Sequence, residues 1–331
     1  MTEALSDRGK GYLLIGLTAV LFSTTEIALK ALGDSFAPIQ LTMERQLVGA
    51  AALGFLLFLR GDLRRIDLHG RNCLMILLFS FIVGVVHMSL IQLALLTEDA
   101  SAVAAILSGS PVFSFLFAHY ILKEPLRLHH FLALAFQVAG ILAILNPFSL
   151  EMSLRGFLLV LFGTLSFSLY GTLAKKNLSR FSSGQLAFLT LLFSSLELLL
   201  ILLAGRTAAG AAFYRRIGLD FYVNVPLIPH LTLKSGLIFL YVAVVLAGGG
   251  QLLLTRIVEY TSAAESSFIY FLKPVISSAL AFLLLHESIS RNRILGLVFS
   301  AAASLLAIIP ALLSRRKAQP DKEKPHGTAP S

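Results

Sequence analysis

The chain alternates long apolar runs with short polar breaks, and the runs share a common length. They fall at roughly 11–31, 37–59, 72–94, 100–122 and 128–146, and again at 154–174, 184–205, 234–255, 262–285 and 293–313. Each is close to the ~20 residues that a helix needs to cross the hydrocarbon core of a bilayer. Pro, Gly, Asn and charged residues fill the breaks, as expected where a chain leaves the membrane. A helix satisfies its own backbone N–H and C=O groups in lipid, so runs of this length predict helices. The expected fold is an all-α integral membrane protein with ten transmembrane helices in two halves of five.

A repeated detail inside the runs supports two halves. In Ser101–Glu124, SAVAAILSGSPVFSFLFAHYILKE, Pro111 precedes Glu124 by the interval that separates Pro274 from Glu287 in Ser262–Glu287, SAAESSFIYFLKPVISSALAFLLLHE. Five crossings per half is an odd number, so the second half must cross the membrane in the opposite sense. Such an inverted repeat places a site near the midplane, between the halves.

Composition agrees with the pattern. The chain is 56% hydrophobic and 14% charged with mean hydropathy +0.83, against about a quarter charged residues in soluble domains. Charge then sets orientation. With both termini cytoplasmic, seventeen Lys and Arg fall on the inner side, from Arg8 and Lys10 to Lys322 and Lys324, and eight on the outer side. The positive-inside rule therefore favours N-in and C-in. The net charge of +9 sits in short loops and the C-terminal tail, which assigns it to topology and argues against nucleic acid. Arg8 and Lys10 before GYLLIGLTAVLF resemble the start of a secretory signal, but the run continues through Glu26 to Ala31 without a clear cleavage site, so it reads as an uncleaved first span. The one cysteine, Cys73, rules out an intramolecular disulfide and a cysteine-based zinc site. The expected segments are a cytoplasmic N-terminus at 1–10, a first repeat at 11–146, a second at 154–313 with an outer loop at 206–233, and a disordered cytoplasmic tail at 314–331. The outer loop carries FYRRIGLDFYVNVPLIP, which suits the interface, as a lid or as a plain surface loop.

These features together resemble the EamA-type repeat of the drug/metabolite transporter superfamily. The resemblance rests on the Pro-to-Glu pattern, on Gln137 and Gly140 in the fifth run, on SFSLYGTLAKK at 166–176, and on Arg45 within MERQLVGAA. It covers roughly 12–146 and 156–311. The chain departs from the family where a Trp-Gly pair often stands in the first span, which here has Phe22, Ser23, Thr24, Thr25 and Glu26, and where AAAS replaces the glycines of the tenth span. The resemblance implies a ten-helix carrier in which spans one to four and six to nine surround a central cavity, with spans five and ten outside. Family cargoes include amino acids, other metabolites, nucleotide sugars and drugs.

The chemistry rests on polar residues within the apolar runs. Lys273 costs at least about 2.5–3.5 kcal/mol at that depth even on the mild insertion scale, so it needs a partner or a water-filled cavity. It would present a point charge to an anionic group. Glu26 would bind one end of a zwitterion opposite Lys273 or carry a coupling proton; the alternative is a static ion pair between the two. Tyr270, Ser108, Ser110, His87, Tyr170 and Gln251 are further substrate-binding candidates, each with packing as the rival role. Pro274 and Pro111 are expected to free a backbone carbonyl and bend their helices, and Gly249, within Gly248–Gly250, permits a bend in the eighth span. Arg45, Glu44, Glu197 and Glu265 are assigned to structure or gates, and Glu124 and Glu287 to topology. No HExxH, phosphate loop or nucleophile elbow occurs, so no enzyme activity, metal or cofactor is expected.

The function expected is secondary-active export of a small polar metabolite such as an amino acid, across the cell (inner) membrane, by a monomer; a dimer is the alternative state. The partners are a small-molecule substrate and the lipid bilayer. A nucleotide-sugar or lipid-linked sugar carrier is the nearest rival, and a scaffold, sensor or intramembrane enzyme the rival of another class.

Overall fold

The apolar runs form helices in the computed structural model, which describes residues 7–32, 35–98, 103, 106–145, 153–229, 231–285 and 291–317. In chain order these are α1 (Asp7–Ser23), α2 (Thr25–Leu32), α3 (Pro38–Leu59), α4 (Arg71–Leu95), α5 (Ser110–Leu122), α6 (Leu128–Leu145), α7 (Leu154–Asn177) and α8 (Ser183–Ala204). They continue with α9 (Ala208–Arg216), α10 (Leu233–Tyr260), α11 (Ala263–Ser266), α12 (Ile269–Leu285) and α13 (Arg291–Lys317). No strand occurs among the described residues. Among the described residues, six segments are long and apolar enough to cross a membrane: Asp7–Leu29, α3, α4, α7, α8 and α10. Shorter apolar helical segments are Ser110–Leu122, Leu128–Ala143 and Ile294–Ala303. The chain is a multi-pass membrane protein.

Local sequence sets the helix ends. Ser153 accepts the Gly156 N–H at 3.0 Å, and Ser182 with Gln185 forms a reciprocal capping box at the start of α8. These caps occupy donors that a helix cannot satisfy internally. Pro38 opens α3, where a missing N–H has no bond to lose. Lys123 ends α5 in the left-handed conformation at φ 59°.

Several expected continuous helices are interrupted. The first breaks at Thr24, whose hydroxyl donates to the Leu21 carbonyl at 2.8 Å. The fourth turns at Ser108–Gly109, so Pro111 stands in the first turn of α5. There its missing N–H removes no helical bond, unlike the bend expected of it. The ninth breaks at Ser267–Phe268, between α11 and α12. Pro274 lies within α12, and its side chain falls outside the described residues, as do those of Glu26 and all of Glu287. Two helices loosen into π geometry, Phe81–His87 in α4 and Tyr241–Gly249 in α10. The last helix continues to Lys317, past the expected end at 313.

Packing places α6 against α13 along much of their length, with the Gly140 backbone close to the Gly296 carbonyl. α3 packs on α8 and on the π segment of α10; α4 packs on α7 and α8; α1 packs on α10 and α12. Large apolar side chains such as Leu13, Phe55, Phe58, Leu74, Leu200 and Leu237 stay exposed, as suits helices whose outer faces meet lipid. The 206–233 segment holds α9 and docks on α4 and α8: Tyr222 is buried and shares a hydrogen bond with the Ser89 hydroxyl, and Tyr214 donates to the Ile201 carbonyl at 3.1 Å.

Candidate functional site

Helices joined mostly by apolar packing leave room where their backbones are irregular. A cavity of about 210 Å³ opens between the two halves of the chain. Phe22 and Thr25 line it from α1 and α2, Arg45 and Gln46 from α3, and Val83, Gly84, His87 and Met88 from α4. Phe167 of α7, Thr190, Leu191 and Ser194 of α8, Leu246, Ala247, Gln251 and Leu254 of α10, and Tyr270 and Lys273 of α12 complete the lining. α5, α6 and α13 contribute no described lining residue.

The break at Thr24 and both π segments adjoin this space, whereas the turn at Ser108–Gly109 contributes nothing to its described lining. Thr24, at the first break, shares a 2.7 Å hydrogen bond with the Tyr241 hydroxyl, at the start of the second π segment. Thr25 follows it into the lining. Val83, Gly84 and His87 belong to one π segment, Leu246 and Ala247 to the other. Irregular backbone at membrane depth survives only where protein or a cavity covers it, and π segments occur often at functional positions.

The polar lining is specific in its contacts. The His87 ring donates from Nδ1 to the Gly163 carbonyl at 2.9 Å, because a carbonyl can only accept, and the ring packs beside Phe167. Gln251 donates its amide N–H to the Tyr170 hydroxyl. Tyr170 itself is buried behind the lining and stacked on Phe79 at 4.7 Å. Arg45 contacts Met88 Sδ at 3.4 Å. Gln46 is buried, and its side-chain oxygen has no hydrogen-bond partner.

Lys273, Tyr270, His87 and Gln251 thus share one cavity with Arg45, and Tyr170 reaches it through Gln251. Ser108 and Ser110 lie elsewhere: Ser108 accepts a hydrogen bond from Gln137 Nε2 at 3.2 Å, and the Ser110 carbonyl accepts from Ser168 at 3.0 Å. Gly249 closes the second π segment. Glu44 accepts from Gln40 one turn away on α3 at 2.9 Å. Glu197 accepts from Ser80 at 3.1 Å, and its second oxygen is buried without a partner. Gln46, Thr25, Thr190 and Ser194 are lining residues that the sequence did not single out, since a lone Ser, Thr or Gln in an apolar run reads equally well as packing.

Glu265 lies at one end of the bundle, within a set of ties across the two halves. It accepts from the Tyr12 hydroxyl at 2.9 Å and lies 3.5 Å from Arg8. Glu124 accepts the Ala263 and Ala264 N–H groups at 3.1 and 3.3 Å. Lys175 donates to the Val258 and Thr261 carbonyls at 2.6 and 2.8 Å, a cation at the C-terminal end of α10. A second hollow, of about 240 Å³ between α4, α8 and the 206–233 segment, has no charged residue in its described lining. No group of three His, Cys, Asp or Glu suited to a metal occurs among the described residues.

Comparison with known proteins agrees with this architecture. A solved structure described only as a crystal structure of a protein is similar at a TM-score of 0.67 and 17% identity, covering 92% of this chain and 98% of that one, a likeness of fold alone. An uncharacterized transporter of Clostridium kluyveri is 27% identical over 306 residues, which is 90% of this chain and 92% of the relative. The EamA-like transporter family matches twice, over residues 9–146 and 154–309. Two matches to one family, covering nearly the whole chain and meeting at a shared polar cavity, settle its kinship: the chain belongs to the EamA-like transporter family, and it is a membrane transporter.

Proposed function

We propose that this protein is a secondary-active exporter of a small polar metabolite such as an amino acid. It works by alternating access, with two inverted five-helix halves exposing one midplane cavity to each side of the cell (inner) membrane in turn. Both termini face the cytoplasm, and the working unit is a monomer. The observation that carries this reading is the cavity itself, which both halves line: Arg45, Gln46 and His87 from the first, Gln251, Tyr270 and Lys273 from the second. Its volume is about 210 Å³. That scale suits a metabolite of amino-acid size and is small for a nucleotide sugar. Lys273 presents its ammonium to the cargo, and Glu26 binds the opposite end of a zwitterion or carries a coupling proton. The π segments and the helix breaks around the cavity supply the backbone that changes shape as access alternates.

The test compares metabolites in medium and cells for the wild type, Lys273→Ala and an empty vector, at matched membrane levels. A compound that accumulates outside only with the wild type supports export through a site that uses Lys273. Equal export by the variant removes Lys273 from the site. Uptake of the compound by wild-type cells reverses the proposed direction.

A further inference from the structure

Arg45 raises a question that transport by itself leaves open: what balances a guanidinium inside the bundle? Its side chain carries several N–H donors in a planar fork that matches a carboxylate. The hydrogen bond the structure gives it goes to the thioether of Met88, a weak acceptor, at 3.4 Å. No described carboxylate forms an ion pair with it, and no described carboxylate lines the cavity to which it belongs. Beside it on α3, buried Gln46 keeps a side-chain oxygen without a partner. Phe22, Phe167 and Met88 supply apolar surface around the same space.

We infer that the cargo is a compact carboxylate with an apolar body, its anionic group bound by Arg45 and a hydrogen-bond donor of the cargo meeting the Gln46 oxygen. This rests on the transport reading and narrows it. An ammonium-only cargo would add like charge beside Arg45. A large anion would exceed the cavity volume of about 210 Å³. A hydrated inorganic anion would leave the aromatic lining unused. The bidentate fit of guanidinium to carboxylate supplies orientation as well as attraction, so Arg45 is a substrate-binding residue and not only a packing group.

Leucine, isocaproate and leucinamide share one carbon skeleton and differ in charge, so they serve as probes, with acetate as the body-free control. Protection against thermal unfolding is measured with the purified full chain in lipid nanodiscs. Leucine and isocaproate should protect the wild type, leucine the more strongly because its ammonium supplies the donor for the Gln46 oxygen that isocaproate lacks; leucinamide and acetate should not. Loss of a charge-assisted hydrogen bond in Arg45→Gln should weaken protection by about 10- to 100-fold, while Arg45→Lys, which keeps the charge, should retain part of it. Gel filtration confirms that each variant is folded before it is compared. Protection by leucinamide equal to that by leucine, unchanged carboxylate binding in both Arg45 variants, or no protection by either carboxylate overturns the inference. Flux of the same probes into liposomes separates it from the transport reading. Carboxylate binding without flux would defeat transport alone, and leucinamide flux that carboxylates do not inhibit would defeat the carboxylate site alone.

Discussion

Gly49 on α3 faces the π segment of α10 so closely that the two backbones touch. A Cβ added there would stand 2.8 Å from the Ala243 carbonyl oxygen, 3.0 Å from the Gly248 nitrogen and 3.3 Å from the Gly248 Cα. Comfortable contacts between heavy atoms are ~3.5–4.0 Å, so Gly49→Ala forces the two helices apart by roughly 0.5–1 Å. The obstacle is backbone, and no rotamer change relieves it. Overpacking costs about 1–3 kcal/mol, and a collision with backbone belongs at the upper end. Alanine returns about 1 kcal/mol of helix propensity over glycine, which leaves a net loss of about 2 kcal/mol. Gly16 on α1 provides the control, since a Cβ there meets nothing within 4 Å. Gly16→Ala should gain up to about 1 kcal/mol. The assay is thermal unfolding of both variants in lipid nanodiscs at one protein concentration. Gly49→Ala should melt below the wild type and Gly16→Ala at or above it. If Gly49→Ala melts as high as Gly16→Ala, the close approach of α3 and α10 is not a constraint and the reasoning fails.

Two further outcomes follow from contacts at opposite ends of the bundle. Glu124→Gln removes the negative charge that the Ala263 and Ala264 N–H groups meet; it should lower stability by about 1 kcal/mol, visible as a lower melting temperature that Glu259→Gln, at an exposed position, does not reproduce. Burial raises the Tyr222 phenol above its usual value of 10.0, against the lowering effect of its hydrogen bond with Ser89. A folded-state pKa raised in this way means that docking of the loop is fully present below pH 10.0 and is lost as pH rises through the higher folded value. The tyrosinate absorbance difference between wild type and Tyr222→Phe should therefore titrate later than free tyrosine; a difference at or below 10.0 would show that the loop is not docked as described.

The apolar pattern of the chain was enough to predict a helical membrane protein, because lipid leaves the backbone few alternatives and the cost of exposing polar groups there is written directly into run length; the transporter reading came from the resemblance to the EamA-type repeat. The pattern also marked Lys273, Tyr270, His87 and Gln251 as worth attention, since a polar or ionisable group inside an apolar run needs compensation wherever it stands. The direction in which such a group points was not legible. Helices that are apolar on nearly every face carry little amphipathic signal, so Ser108 and Tyr170 read in the sequence much as Gln251 does. Tertiary packing decided between them. It placed Ser108 beside Gln137, Tyr170 behind Gln251, and Arg45 and Gln46 together on the cavity. It also decided where helices break, at Thr24 and at Ser267–Phe268, and where they loosen into π geometry, at Phe81–His87 and Tyr241–Gly249. Run length reports how far a helix must reach through lipid; only neighbours at close range determine where its backbone can depart from the ideal and leave room for a cargo.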